Sequence, residues 1–399
     1  MSLNYLSVVD GFFPDRPTGS ARVAWDVAQM VRDIGHNVTV FCPKQFDAAK
    51  DVCEHEGISV VRYVLPKVHA LDPLKIAKRR NRGVMAARAA IVHKRWDIVH
   101  IHSPLEGSIV YALLGDGPRY VSTVHSPAVL EQEIIWVAQG LQGRIKLLFG
   151  KGQLKRIESG VLRKAHAIQA LSQFTKSVID ATYFVGAKVS VIPHWCRTDF
   201  RRKLSKNNAR REIGWSEDAK IVFTLRRLAP RMGLDLAIKA MAPLLLERKE
   251  LKFIIAGSGK LEKSLKALSA SLGVRDRICF LGQLTDEHLK RCYEAADLFL
   301  LPTTALECFG LIILEALSFG LPVMATDAGA IPEVMRPVLP DFIVPAGRED
   351  ALRERLNCWL NGSLIPPLPE TLCEYASKNY SEEAVYPRLK VFLGFAQVP

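Results

Sequence analysis

No two of the eight cysteines are spaced as Cys-x-x-Cys. That spacing excludes a disulfide framework and a zinc site. Cys42, Cys53, Cys196, Cys279, Cys292, Cys308, Cys358 and Cys373 read instead as reduced, mostly buried thiols of a cytoplasmic protein. No apolar run approaches the ~18 residues that span a bilayer. The stretch Leu3–Val9 lacks the basic lead of a signal peptide and is too short for one, so a first strand is expected there. Acidic residues are outnumbered, 41 against 54 Lys and Arg, and the formal net charge is +13. Such a chain attracts anions. No aromatic-rich basic platform or recognition motif accompanies the charge, so a nucleic-acid partner is not expected. With 49% hydrophobic and 24% charged residues, disorder is excluded as the main state.

What is present is a repeating strand–helix pattern over 399 residues, too many for one ordinary domain. Leu6–Val9 is a strand, and the glycine-bearing loop Asp10–Ser20 follows. Val23, Val27, Met30, Val31 and Ile34 share one face of a helix over about 21–34, and Val38–Phe41 is the next strand. Further strands are expected at Ile98–Ile101, Tyr120–Val124, Ala167–Ala170 and Val189–Ile192. A polar break at 193–208 precedes a restart at Ile221–Leu225, Phe253–Ala256, Ile278–Leu281, Leu298–Leu301 and Val323–Thr326. The pattern implies two α/β domains with parallel sheets: residues 1–196, residues 197–378, and a C-terminal helix over 379–399 packing back on the first domain. Ligands of open α/β sheets bind beyond the carboxyl ends of the strands, so both domains are expected to present loops to an interdomain cleft.

Three loops of the second half carry candidate chemistry. Leu225–Gly233 brings Arg226, Arg227 and Arg231 to a strand's carboxyl end, where guanidinium groups fork onto phosphate oxygens; a solvated basic loop is the plain alternative. Gly257 and Gly259 allow close backbone approach to a ligand, or merely turn the chain. In Pro302–Leu317, Glu307 lies in a loop, a helix is expected to begin near Phe309 or Gly310, and Glu315 lies inside it. The free N–H groups of such a start make an anion site. At ~1.5 Å per residue Glu315 sits some 7 Å beyond that start, a spacing that suits a sugar ring next to a diphosphate. Carboxylates there can accept from hydroxyl groups.

Glu307 and Glu315 match the E-x7-E signature of retaining glycosyltransferases, and the surrounding sequence closely resembles glycosyltransferase family 4. The resemblance is strongest over 188–335 and covers nearly the whole chain. It implies a GT-B fold of two facing Rossmann-like domains and no required metal; no Asp-x-Asp triplet occurs. It also implies roles. Glu307 would contact donor-sugar hydroxyls at the reaction centre and Glu315 the ribose, while Arg227 would meet the diphosphate. Backbone at Phe309, Gly310 and Leu311 would cradle the phosphates, and Gln283-Leu284 would face the base. Gly19 would belong to a loop near the diphosphate and acceptor, and His125 would lie beside the donor sugar. His100 and His102 resemble a His-x-His strand with a packing or acceptor-side role. The chain departs from the family at Arg231-Met232, where Arg-Lys is common, and leaves open which of Arg226 and Arg231 supplies the missing charge. Uridine diphosphate glucose is the family-level expectation for the donor.

Eight Lys and Arg fall between Lys75 and Arg95 with no acidic residue, and a second basic stretch runs over 144–163. Interleaved apolar residues let either lie on an anionic, cytoplasmic membrane surface, or form a solvated face. Many members of the resembled family act on lipid-linked acceptors, so a glycan, glycolipid or small molecule is the expected acceptor. A sugar-nucleotide epimerase of the same fold and an inactive nucleotide-sugar-binding relative are the competing readings.

Overall fold

Short β-branched runs separated by amphipathic helices give two separate sheets in this computed structural model, which describes residues 2–395 apart from positions 17, 47, 48, 70, 71 and 73. The first holds β1 (Asn4–Val8), β2 (Asn37–Pro43), β3 (Val52–His55), β4 (Ile58–Tyr63), β5 (Ile98–Ile101), β6 (Arg119–Val124), β7 (Ala167–Ala170) and β8 (Val189–Val191). Their order is β3-β4-β2-β1-β5-β6-β7-β8. All neighbours run parallel except β3 and β4. The second sheet holds β9 (Lys220–Leu225), β10 (Leu251–Ala256), β11 (Ile278–Gly282), β12 (Leu298–Leu301), β13 (Val323–Thr326) and β14 (Ile343–Val344). It is parallel throughout, in the order β11-β10-β9-β12-β13-β14.

The hairpin β3–β4 and the edge strand β14 are additions to the sequence reading. β3 is a half-exposed, polar edge strand with no apolar run to mark it. Its turn is Glu56-Gly57, with φ of 48° and 73°, the left-handed pair that a two-residue hairpin needs. β14 has only two residues.

The chain divides into two compact units, Met1–Ile192 with Arg388–Pro399 and Pro193–Pro387. The division falls ahead of residue 196, and the terminal segment is two helices, Pro369–Tyr380 and Glu382–Leu393. Residues 379–387 count with the second unit, and only the part from Arg388 onward with the first. That last part is tied down by its own contacts. Arg388 donates to the Val191 carbonyl, Arg119 to the Phe392 carbonyl at 3.4 Å, and the Phe395 ring stacks on His36 at 4.4 Å.

In the first unit, Leu6, Val8, Phe41, Val99 and Ile101 are buried together, with Ala87 and Ile91 of the helix Lys75–Ile91. Glu106 is buried too, in the first turn of the helix Pro104–Leu114, where the Ser103 hydroxyl donates to its Oε2. Burial pushes its carboxyl up to about 7, against the opposing pull of the Ser103 bond. Between about pH 4.5 and 7 the folded chain therefore holds a proton that the unfolded chain releases, and stability falls as pH rises through that window. Glu106→Gln, which keeps an acceptor without the charge, is expected to match the wild type in urea unfolding at pH 4.5. At pH 8 it should exceed the wild type by up to roughly 3 kcal/mol. Equal stabilities at both pH values would contradict this.

Candidate functional site

In the second sheet the strand order reverses between β9 and β12, and ligands of open α/β sheets bind beyond the carboxyl ends of strands at such a reversal. The loops leaving these two strands are 226–233 and 302–310. They touch each other at one point where only glycine fits, and the loop after β10 packs on the first of them at two more. A Cβ on Gly233 (φ 68°) would lie 1.8 Å from the Pro302 carbonyl oxygen. One on Gly257 (φ 111°) would lie 2.0 Å from the Arg226 carbonyl oxygen, and one on Gly259 2.3 Å from that of Leu228. Gly257 and Gly259, read from sequence as allowing ligand approach or merely a turn, are thus required by loop packing as well.

This packing delivers Arg226 to Glu307. Arg226 Nη2 donates to Thr303 Oγ1 at 2.7 Å and to Glu307 Oε2 at 2.8 Å, and the Thr303 hydroxyl donates to the same Oε2 at 3.3 Å. The two side chains are 8% and 14% exposed. Behind them Leu306 adopts a left-handed φ of 55°, and the Glu307 carbonyl accepts from Ala330 N–H at 2.8 Å. Arg231 Nη1 donates to the Leu306 carbonyl at 3.1 Å, bracing the strained residue. Met232 is buried, so no charge stands there. Arg227 alone of the three arginines is exposed.

The helix begins at Leu311, one to two residues later than the sequence suggests, with Gly310 (φ 87°) as its cap and Phe309 buried before it. Ile313, Leu314, Ala316 and Leu317 are buried, which explains the apolar surroundings of Glu315. Glu315 is half-buried and its Oε2 accepts from the Tyr293 hydroxyl at 2.8 Å. Burial, then the Glu315 charge, holds that phenol far above its usual range, so Tyr293 stays a donor. Gln283 donates to Ser258 Oγ at 3.1 Å, which brings the loops after β10 and β11 together; Leu284 beside it is half-buried. Thr303 and Tyr293 were not expected from sequence. Thr303 lies four residues before Glu307 inside the quoted loop, but nothing in the pattern singles out Tyr293.

In the first unit, Gly19 opens the helix Gly19–Asp33, capped by Thr18, and a Cβ there would meet nothing. The fold alone does not demand this glycine. His100 belongs to a closed relay. The Tyr5 hydroxyl lies 2.6 Å from His100 Nδ1, His100 Nε2 lies 2.6 Å from Thr123 Oγ1, and Thr123 donates to Gln169 Oε1. Burial drives the His100 imidazole down to about 3, so it is neutral and belongs to the packing. His125 Nε2 lies 2.9 Å from His102 Nδ1, beside a cavity of about 20 Å³ that Ser126 and Glu158 also line. Among the described residues no group of three or more His, Cys, Asp or Glu could hold a metal ion.

Residues 17–200 match the glycosyltransferase family 4 description, and residues 205–379 match that of glycosyl transferases group 1. The chain is 38% identical to an uncharacterised glycosyltransferase of Methanocaldococcus jannaschii over 33% of each chain. It is 26% identical to a phosphatidyl-myo-inositol mannosyltransferase of Mycobacterium leprae over 82% of this chain and 88% of that one. Against three of the curated relatives, the match spans only 33%, 40% and 54% of their own length. Among solved structures, Anabaena HepE in complex with UDP is similar with a TM-score of 0.72 and 17% identity, covering 99% of this chain and 100% of that one. The shared fold is GT-B.

Gly257→Ala is expected to lower the unfolding free energy by more than about 2 kcal/mol, because positive φ and the collision with the Arg226 carbonyl act together. Urea unfolding measures this, and a loss below about 0.5 kcal/mol would show that the loops separate freely.

Proposed function

The chain belongs to glycosyltransferase family 4, its second half to the group 1 transferases, and from that premise we propose that it moves a sugar from a nucleoside-diphosphate sugar to an acceptor hydroxyl with retained anomeric configuration. One observation supports the reading more than any other. At the strand-order reversal, Glu307 is clamped, among the described residues, through Oε2 alone, in the loop that leads into a helix start. A carboxylate so held keeps one oxygen for sugar hydroxyls.

In this reading the bond from the anomeric carbon to the diphosphate breaks while the acceptor oxygen bonds on the same face. The acceptor's proton passes to the departing diphosphate. Arg227 and the backbone N–H groups at Phe309, Gly310 and Leu311 take up the negative charge, and no divalent metal is invoked. Glu315 accepts from the ribose, Gln283-Leu284 faces the base, and Arg231 and Gly257 shape the loops around the diphosphate. His125 and Gly19 are the ligand contacts of the first unit. UDP is the favoured nucleotide, in keeping with HepE, and glucose the favoured sugar.

The name of the M. leprae relative favours a lipid-linked acceptor. The surface proposed for an anionic membrane is the helix Gly140–Lys164, ahead of the 75–95 segment. In 75–95, Lys78 pairs with Asp72, Arg80 and Arg82 bond backbone carbonyls, and Lys94 lies over Trp96. The later helix exposes Leu141, Ile145, Leu148 and Phe149, and Lys155, Arg156 and Arg163 line one outer groove of it. No helix among the described residues is long and apolar enough to cross a membrane.

Glu307→Gln should cut turnover ~10²-fold or more with UDP affinity nearly unchanged, whereas Glu315→Gln should weaken UDP binding. Turnover should survive excess EDTA. Exchanged phenotypes, or activity that returns only with added Mn²⁺, would overturn the assignment. In co-sedimentation, the protein should bind vesicles containing anionic lipid at 0.1 M salt and leave them at 1 M, where the Debye length falls to ~3 Å. Leu148→Glu should weaken that binding; equal sedimentation with neutral vesicles would remove the electrostatic basis.

A further inference from the structure

Of three arginines in one loop, two are turned inward. Arg226 spends Nη2 on Thr303 and Glu307, and its Nε is buried with no hydrogen-bond partner. A diphosphate oxygen could not reach that Nε without moving the loops. Every hydrogen bond Glu307's carboxylate accepts among the described residues goes to Oε2, and none to Oε1. The triangle is closed, because Thr303 accepts from Arg226 and donates to Glu307, so the carboxylate cannot rotate without breaking two bonds. Thr303 is itself fixed: it is fully buried, and its carbonyl accepts from the Thr326 hydroxyl at 2.5 Å. Both bonds leave one nitrogen, Nη2, whose two N–H groups serve the two acceptors at once.

We infer that Arg226 is a positioning residue, which locks Glu307 by Oε2 and presents Oε1 to the donor sugar, while Arg227 carries the diphosphate. This rests on the glycosyl-transfer reading above and assigns the residue that reading leaves without a role. Arg226 does not substitute for a phosphate-binding lysine; it acts on the sugar through Glu307.

The test uses the full chain and whichever of UDP-glucose, UDP-N-acetylglucosamine and GDP-mannose raises its melting temperature most. Three quantities are measured: turnover of that sugar nucleotide to water, Kd for the matching nucleoside diphosphate, and the factor by which the sugar changes that affinity. Arg226→Met should slow turnover by ~10²-fold, the usual effect of a misplaced catalytic contact, and leave Kd for the nucleoside diphosphate within about threefold. The sugar's factor should fall to that of Glu307→Gln. The double variant Arg226→Met, Glu307→Gln should be no slower than Glu307→Gln alone, within about threefold, since the two act as one unit. Arg226→Lys, with the charge but not the reach of the guanidinium, should fall between. A loss of nucleoside-diphosphate affinity of about tenfold or more with turnover at saturation intact would make Arg226 a phosphate ligand and overturn the proposal. Additive losses in the double variant would overturn it as well. If Arg226→Met does not unfold cooperatively, Arg226→Lys and Thr303→Val decide: unchanged turnover in both ends the idea. Failure of the unsubstituted chain to bind any of these nucleotides would instead defeat the transferase reading itself.

Discussion

The candidate site depends on how closely the backbone after β9 approaches its neighbours. Gly233 lies against the Pro302 carbonyl and Gly257 against the Arg226 carbonyl, at separations that no side chain tolerates. Once these loops are in contact, Arg226 has only one place to go, and a cation buried there needs an anion. Glu307 meets that need. The ion pair is therefore a product of main-chain packing, and its geometry is as rigid as the loops that carry it. Breaking one partner of such a buried pair leaves the other charge stranded, which costs far more than a surface pair would.

Much of this was legible from the residues. Period and composition located eleven of the fourteen strands to within two residues at either end, because a parallel strand buried on both faces is a plain apolar run. The Glu307–Glu315 spacing and the helix start between them were visible for the same reason: the apolar residues 311–317 can bury only one stripe, and Glu315 falls at its margin. The edge strand β3 was not legible, since Val, Cys, Glu and His carry no apolar run, whereas β4 has an alternating apolar pattern that the sequence reading passed over.

Within the site, residue types were readable and their pairings were not. Three arginines of one loop look alike in a sequence. Their separate fates follow from tertiary facts: Met232 turns into the core, Arg231 reaches a carbonyl, Arg226 finds Thr303 and Glu307, and Arg227 stays at the surface. The glycines after β10 likewise give no sign in sequence that the Arg226 and Leu228 carbonyls lie beside them. Tyr293 could not be foreseen, because its hydroxyl reaches Glu315 from another helix across 22 positions of chain.

The return of the chain to the first unit at Arg388 has a consequence for its birth on the ribosome. The first unit is interrupted at Ile192 and resumes only after Pro387, so the whole second unit is translated before the segment carrying Phe392 and Phe395 exists. Until then Tyr5, His36 and His100 lack the rings that pack on them. The first half of the message thus encodes a sheet whose packing is completed only by residues translated after the second unit.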